Sequence, residues 1–184
     1  MIERLQQRRA AIHERWLGRT LETYPPDAAV FLKRQRNPFA NPVGQTVAAG
    51  TRVILDSVLD GADPGTIRSH LEEILKIRAV QEFSPAVAVG FLFLLKDAIR
   101  DELASEEFAA GDRLELEQLD ARIDRVALLA FDIFVQCREK VYELRLAEVR
   151  RNLGVPASWM KRSRRARFVG DPESEPDRAP DDSR

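Results

Sequence analysis

The sequence predicts an all-α fold, and three observations support this. Apolar residues recur at spacings of three and four along most of the 184 residues, and we find no convincing alternating strand bounded by turn residues. Prolines and glycines fall between the periodic segments, where they would end one helix and begin the next. Residues 112–152 contain neither proline nor glycine, which predicts one long final helix.

Turn residues separate about six predicted helices in a single bundle. Two prolines at positions 25 and 26 end the first helix, and Asn37-Pro-Phe-Ala-Asn-Pro-Val-Gly44 forms a rigid connection after the second. Ser84-Pro85 opens the fifth, because serine accepts from an orphan amide at a position where proline lacks one. The predicted helices are approximately residues 2–24, 27–36, 44–59, 63–81, 85–108 and 112–152.

The fifth helix begins with an unusually apolar stretch. Residues 85–95 carry no polar side chain, whereas a helix at the surface would have one polar, solvent-exposed face. The stretch is too short to cross a bilayer, which takes about 20 residues. We therefore expect it at the centre of the core, wrapped on all sides by other helices of its own domain.

Composition limits the class of protein. The amino terminus lacks the long apolar run of a secretory signal, which predicts a cytoplasmic protein. A single cysteine excludes an intrachain disulfide and any multi-cysteine metal site. We expect one helical domain over residues 1–152, followed by a basic and then acidic tail, 153–184, that is disordered.

The tail leaves two functions open. Its cations could bind phosphates or anionic lipid, which would make the chain an adaptor for nucleic acid or a membrane surface. They could equally pair with the six acids of residues 171–184 and leave a net-neutral, solvated end. The formal net charge of −1 also gives the chain as a whole no bulk attraction to nucleic acid. The candidate anion-binding residues are Lys161, Arg162, Arg164, Arg165 and Arg167.

Signatures of enzymes are absent from the sequence. It has no glycine-rich phosphate loop, nucleophile elbow or His-Glu-x-x-His pair, so we expect no catalytic site, no metal and no cofactor. An enzyme with an unrecognised site is a third hypothesis. His13 and His70 each stand alone on an amphipathic helix, as surface or boundary residues do, and the polar neighbours of His70 do not suit a haem ligand.

Two residues have competing interpretations. Cys137 lies on the apolar seam of the last helix, either as a small buried hydrophobe or as a redox-sensing thiolate. Arg78 is either solvated or a buried cation paired with Asp124 or Asp132, because charges are rarely buried unpaired.

Two groups of residues are candidates for binding. Phenylalanines near Gly90 either fill the core or wall a small apolar cavity of the kind a sensory domain needs. The charged end of the last helix is typical of a connector or a dimer seam. The pocket candidates are Phe83, Gly90, Phe91, Phe93 and Phe134, and the dimer or partner candidates are Arg138, Val141, Tyr142 and Arg145.

Several segments of the chain form a recognisable combination. They are Asn37-Pro-Phe-Ala-Asn-Pro-Val-Gly44, Ile77-Arg-Ala-Val-Gln-Glu-Phe-Ser-Pro85, Val89-Gly-Phe-Leu-Phe-Leu-Leu-Lys96, Arg122-Ile-Asp124 and Ala130-Phe-Asp-Ile-Phe-Val-Gln-Cys-Arg-Glu-Lys-Val-Tyr-Glu-Leu-Arg145. Together, in this order, they resemble the RsbRD amino-terminal domain family. The resemblance implies a globin-like sensory domain without haem, which dimerises and passes a signal down its terminal helix, usually into a STAS domain. It supplies no catalytic residues.

One feature departs from that family arrangement. Only 32 residues follow residue 152, too few for a STAS domain, so we expect the chain to act through another protein. The main hypothesis is a cytoplasmic, non-enzymatic sensory domain in stress or redox signalling. It would form a homodimer and bind a regulatory partner.

Overall fold

Every regular element that the structure describes is a helix, which confirms the all-α prediction. The computed structural model describes residues 1–35, 37–104, 109 and 111–152, so the predictions for the tail 153–184 and its basic cluster lie outside the described residues. Within the described ranges no helix is long and apolar enough to cross a membrane. The helices are α1 (Ile2–Gln7), α2 (Arg9–Glu22), α3 (Pro26–Arg34), α4 (Pro42–Asp60), a 3₁₀ turn (Pro64–Ile67), α5 (Arg68–Val80), α6 (Pro85–Gly90), α7 (Phe93–Leu103) and α8 (Asp112–Asn152).

The first predicted helix is two helices, α1 and α2. Arg8 interrupts it with φ −104° and ψ 14°, and its amide donates to the Leu5 carbonyl at 3.0 Å, one residue closer than in an α-helix. The break leaves the apolar face intact, because Leu5, Ile12 and Trp16 are all fully buried.

Asn41 fixes the predicted rigid connection between α3 and α4. Its side-chain oxygen accepts from the amide of Gly44 at 2.8 Å and so caps α4. Its side-chain nitrogen donates to the carbonyls of Leu32 at 3.0 Å and Gln35 at 2.8 Å. A Cβ on Gly44 would lie 2.3–2.8 Å from the Asn41 side chain, so this capping geometry requires glycine.

The apolar segment 85–95 departs from the prediction in two ways. Helix α6 begins at the predicted Ser84 cap, whose hydroxyl accepts from the amide of Val87 at 3.4 Å, but it ends at Gly90. The prediction that the segment is wrapped on all sides is wrong, because α6 and α7 meet the core with one face only. Buried residues are Ala88, Val89, Phe91, Leu92 and Leu95, and exposed residues are Pro85, Ala86, Val87 and Phe93.

The long final helix is confirmed, since α8 runs for 41 residues without a break. The compact unit that holds the core is Met1–Glu143. The described residues after it, 144–152, are helical and exposed. The buried seam of α8 includes Leu119, Ile123, Val126, Ala130 and Ile133.

Candidate functional site

Arg78 in α5 is fully buried among three aromatic rings. Its guanidinium carbon lies 4.6 Å from the ring centroid of Phe91, 5.1 Å from that of Phe83 and 5.2 Å from that of Tyr24. At these distances the rings attract the cation, and more strongly when water is excluded. The aromatic rings therefore take the place of the carboxylate that usually accompanies a buried arginine.

The solvated interpretation of Arg78 is wrong, and the alternative is right about its burial but wrong about its acidic partner. Arg78 is not solvated, and it does not pair with either acid: Asp124 accepts from Lys96 at 2.6 Å, and Asp132 is exposed. Burial lowers the pKa of the Arg78 guanidinium, because the charged form loses its hydration.

The guanidinium of Arg78 also holds α6 through hydrogen bonds. Its Nη1 donates to the Val87 carbonyl at 2.9 Å and to the Ala88 carbonyl at 3.5 Å. Its Nη2 donates to the Thr23 hydroxyl at 3.1 Å. A residue just after α2, the buried side chain on α5 and the backbone of α6 thus meet at one polar group.

Trp16 supplies a second donor at the turn between α6 and α7. Its Nε1 donates to the Phe91 carbonyl at 2.7 Å, and the two rings stack with centroids 6.1 Å apart. In the turn, the Leu92 amide donates to the Val89 carbonyl at 3.1 Å, and the Leu95 amide donates to the Leu92 carbonyl at 3.2 Å. Sequence reasoning missed this role of Trp16; the available signal is that a buried indole N–H needs an acceptor.

An open apolar groove of about 570 Å³ lies between α8 and the α6–α7 pair. Its base is formed by Val89 and Ala127, which are buried, and Gly90, which is half-buried. Among its described lining residues Asp124 alone is charged, and Lys96 pairs with it. The rim consists of Pro85, Ala86, Phe93, Leu128 and Phe131.

The predicted pocket residues do not lie together. Gly90 and Phe93 line the groove. Phe91 and Phe134 are buried in the core, and Phe83 is half-buried with its ring edge-on to Tyr24. The structure therefore brings two of the five candidates to the groove and places three elsewhere.

Helix α8 carries a second apolar stripe, which is exposed. Leu128, Phe131, Val135 and Tyr142 are 69%, 48%, 38% and 49% exposed. Spacings of three, four and seven residues place them along one side of the helix, as in a coiled-coil seam. Sequence reasoning missed this stripe, although its residues repeat at the same spacing as the buried seam.

Of the four dimer candidates, Tyr142 lies on this stripe. Arg138 is half-buried and engaged within the chain: its Nη1 donates to the Phe83 carbonyl at 3.2 Å, and its Nη2 donates to the Tyr142 hydroxyl. Val141 is half-buried against the core, and Arg145 is exposed.

Cys137 is half-buried and packs against the hydrophobic core. Burial raises the pKa of its thiol, which disfavours the thiolate that a redox sensor needs. This environment favours the interpretation of Cys137 as a small hydrophobe.

We expected His13 at the surface or at its boundary. This expectation is wrong, because the residue is only 7% exposed. Its Nε2 lies 3.1 Å from the Ala48 carbonyl oxygen and 3.0 Å from the Thr51 hydroxyl. His70 is half-buried. In the part of the chain that the structure describes, no group of three or more histidine, cysteine or acidic side chains could hold a metal ion.

Comparison with known proteins places the chain in a family. The family model described as "RsbT co-antagonist protein rsbRD N-terminal domain" matches residues 10–149. An uncharacterized protein of Archaeoglobus fulgidus is 26% identical over 146 residues, which cover 76% of this chain and 83% of that protein. No solved structure matches the chain. Because the matched residues run from α2 into the last turns of α8, the chain belongs to the RsbT co-antagonist protein RsbRD N-terminal domain family.

Proposed function

We propose that this chain is a non-enzymatic sensory and regulatory domain of stress signalling that acts by self-association and by binding a regulatory partner. Family membership supports the regulatory and sensory role. The observation that carries the self-association is the exposed apolar stripe on α8.

The stripe is part of a larger apolar surface. Leu128 and Phe131 belong both to the stripe and to the rim of the groove, so the surface continues from α8 onto α6 and α7. Soluble monomers rarely expose contiguous apolar patches beyond a few hundred Å². Covering one large apolar side chain contributes about 1.5–3 kcal/mol, so burial of this surface against a second copy would be favourable.

A chain of contacts gives a route from the core to the stripe. Arg78 lies over the Phe83 ring at 5.1 Å, the Phe83 carbonyl accepts from Arg138 at 3.2 Å, and the Arg138 guanidinium lies 5.0 Å from the Tyr142 ring. A change in packing around Arg78 would therefore move a side chain on the contact surface. Signalling by a small shift of α8 between two packed states is consistent with this route.

Size-exclusion chromatography with light scattering tests the self-association. We expect a dimer for the wild type at tens of micromolar and a monomer for Phe131→Asp, because a buried carboxylate would lack a partner. Val30→Asp is the matched control, since Val30 is 51% exposed but lies on α3, and it should stay dimeric. A monomeric wild type would overturn the proposal.

A further inference from the structure

The groove and the ridge beside it lie on one surface. Leu128 and Phe131 stand on the rim, and Val89, Gly90 and Ala127 form the base. A closed two-fold dimer requires a patch that is complementary to itself. This surface can meet the requirement, because it carries both a ridge and a groove.

We propose that, in the self-associated form, the groove of each copy receives Leu128 and Phe131 of the second copy. The inference rests on the proposed self-association through α8 and adds α6 and α7 to the interface. A small molecule in the groove would leave Leu128, which is 69% exposed, largely in water. A second α8 would cover the rim and the base together, so the occupant is a second copy of this chain.

Gly90 lies at the base of the groove, where the inference requires room for side chains of the second copy. A Cβ built on Gly90 meets nothing within 4 Å among the described residues, and the φ of Gly90 is not positive, so the described part of the chain shows neither a steric nor a conformational need for glycine there. The missing side chain keeps the base of the groove open. Glycine at such a position permits the close approach of another group.

The chemistry of the groove fits apolar side chains. Lys96 lies 2.6 Å from Asp124 and 5.7 Å from the Phe93 ring centroid. The one charged residue among the described lining residues, Asp124, therefore already has a counter-charge. A charged occupant would lose hydration without gaining a partner, whereas leucine and phenylalanine gain by leaving water.

Gly90→Leu tests the inference by filling the base of the groove from within. We expect the dimer dissociation constant to rise at least ~10-fold, equivalent to about 1.4 kcal/mol. Helicity should be unchanged, because the added Cβ has no atom of another described element within 4 Å and the rest of the leucine side chain can extend into the groove. Gly18→Leu is the matched control: Gly18 is a helical glycine of α2 whose added Cβ also meets nothing within 4 Å, and this variant should keep the wild-type constant.

Sedimentation equilibrium separates the possible outcomes. If Gly90→Leu keeps the wild-type constant while Phe131→Asp is monomeric, the groove inference is overturned and self-association through α8 stands. If the wild type is monomeric, both the groove inference and the proposed self-association fail.

Crosslinking between chains provides a second readout that does not depend on the fold of Gly90→Leu. Chains carrying Gly90→Cys are mixed with chains carrying Leu128→Cys, both with Cys137→Ser, under an added oxidant. We expect a disulfide between the two kinds of chain. Mixed dimers that form without this disulfide would contradict the inference.

Discussion

The guanidinium carbon of Arg78 lies 4.6 Å from the centroid of the Phe91 ring, and its Nη1 donates to the Val87 carbonyl at 2.9 Å. One buried cation therefore contacts both the ring at the α6–α7 turn and the backbone of α6. Since α6 forms one side of the groove, packing in the core and the shape of the groove are coupled at Arg78.

Truncation of Arg78 should destabilise the domain. Arg78→Ala removes the donors to the α6 carbonyls and opens a cavity between the rings, so we expect the free energy of unfolding to fall by about 3 kcal/mol. Arg78→Met keeps most of the side-chain volume, and its free energy of unfolding should fall by about 1–2 kcal/mol. Urea denaturation followed by circular dichroism measures both, and wild-type stability in Arg78→Ala would contradict the role of the cluster.

The hydrogen bond from Trp16 should stabilise the turn locally. Trp16→Phe keeps a ring in the core but leaves the Phe91 carbonyl without its donor at 2.7 Å. We expect a loss of about 1–3 kcal/mol, because a buried acceptor is left unpaired. Hydrogen exchange should increase most at residues 91–95; a uniform increase along the chain would show that the bond has no local effect.

Burial of His13 should make stability depend on pH. Burial, followed by the positive charge of Arg52, lowers the pKa of His13 from 6.5. The folded state therefore favours neutral imidazole, and this contribution to stability is complete above pH 6.5 and is lost as the pH falls through the folded-state pKa.

The free energy of unfolding should therefore decrease between about pH 7.5 and about pH 5.5. His13→Gln removes the titrating group and should show a smaller decrease. Equal slopes in the two proteins, measured by urea denaturation at each pH, would rule out His13 as the source.

Asp112 should also make stability depend on pH, at a lower pH than His13 does. Its carboxylate accepts from the Ala109 amide at 3.0 Å and from Arg4, and these bonds lower its pKa from 3.8 to about 2. A lowered carboxyl pKa stabilises the fold above pH 3.8, and this contribution is lost as the pH falls through about 2. Asp112→Asn should therefore show a smaller loss of thermal stability across that interval, and an unchanged loss would contradict the assignment.

Helical periodicity predicted the segments well, because the spacing of apolar residues records which face meets the core. It missed the break at residues 91–92, since Trp16, which donates to the turn, and Arg78, which donates to α6 just before it, are both remote from the turn in sequence. Spacing also could not show that Arg78 is buried without a carboxylate, because its partners are ring faces and backbone carbonyls.

The groove was less predictable than the helices. Spacing shows that α8 has apolar stripes, but it does not show which stripe another helix of the same chain covers. The contribution of Gly90 depends on the proximity of α6 to α8, which no local pattern records. The phenylalanine-rich segment thus indicated the region of the site but not its exposed face.

The distance between nitroxide labels at Val135, one on each copy, tests most directly whether two chains meet along the exposed stripe of α8. Packed helices lie about 8–10 Å apart, so labels on the contact side are close together. Labels at Lys140, an exposed residue on another side of α8, provide the comparison, with Cys137→Ser in both proteins. We predict a shorter distance by pulsed electron paramagnetic resonance at position 135 than at position 140. A longer distance at 135, or a protein that remains monomeric, would contradict contact along this stripe.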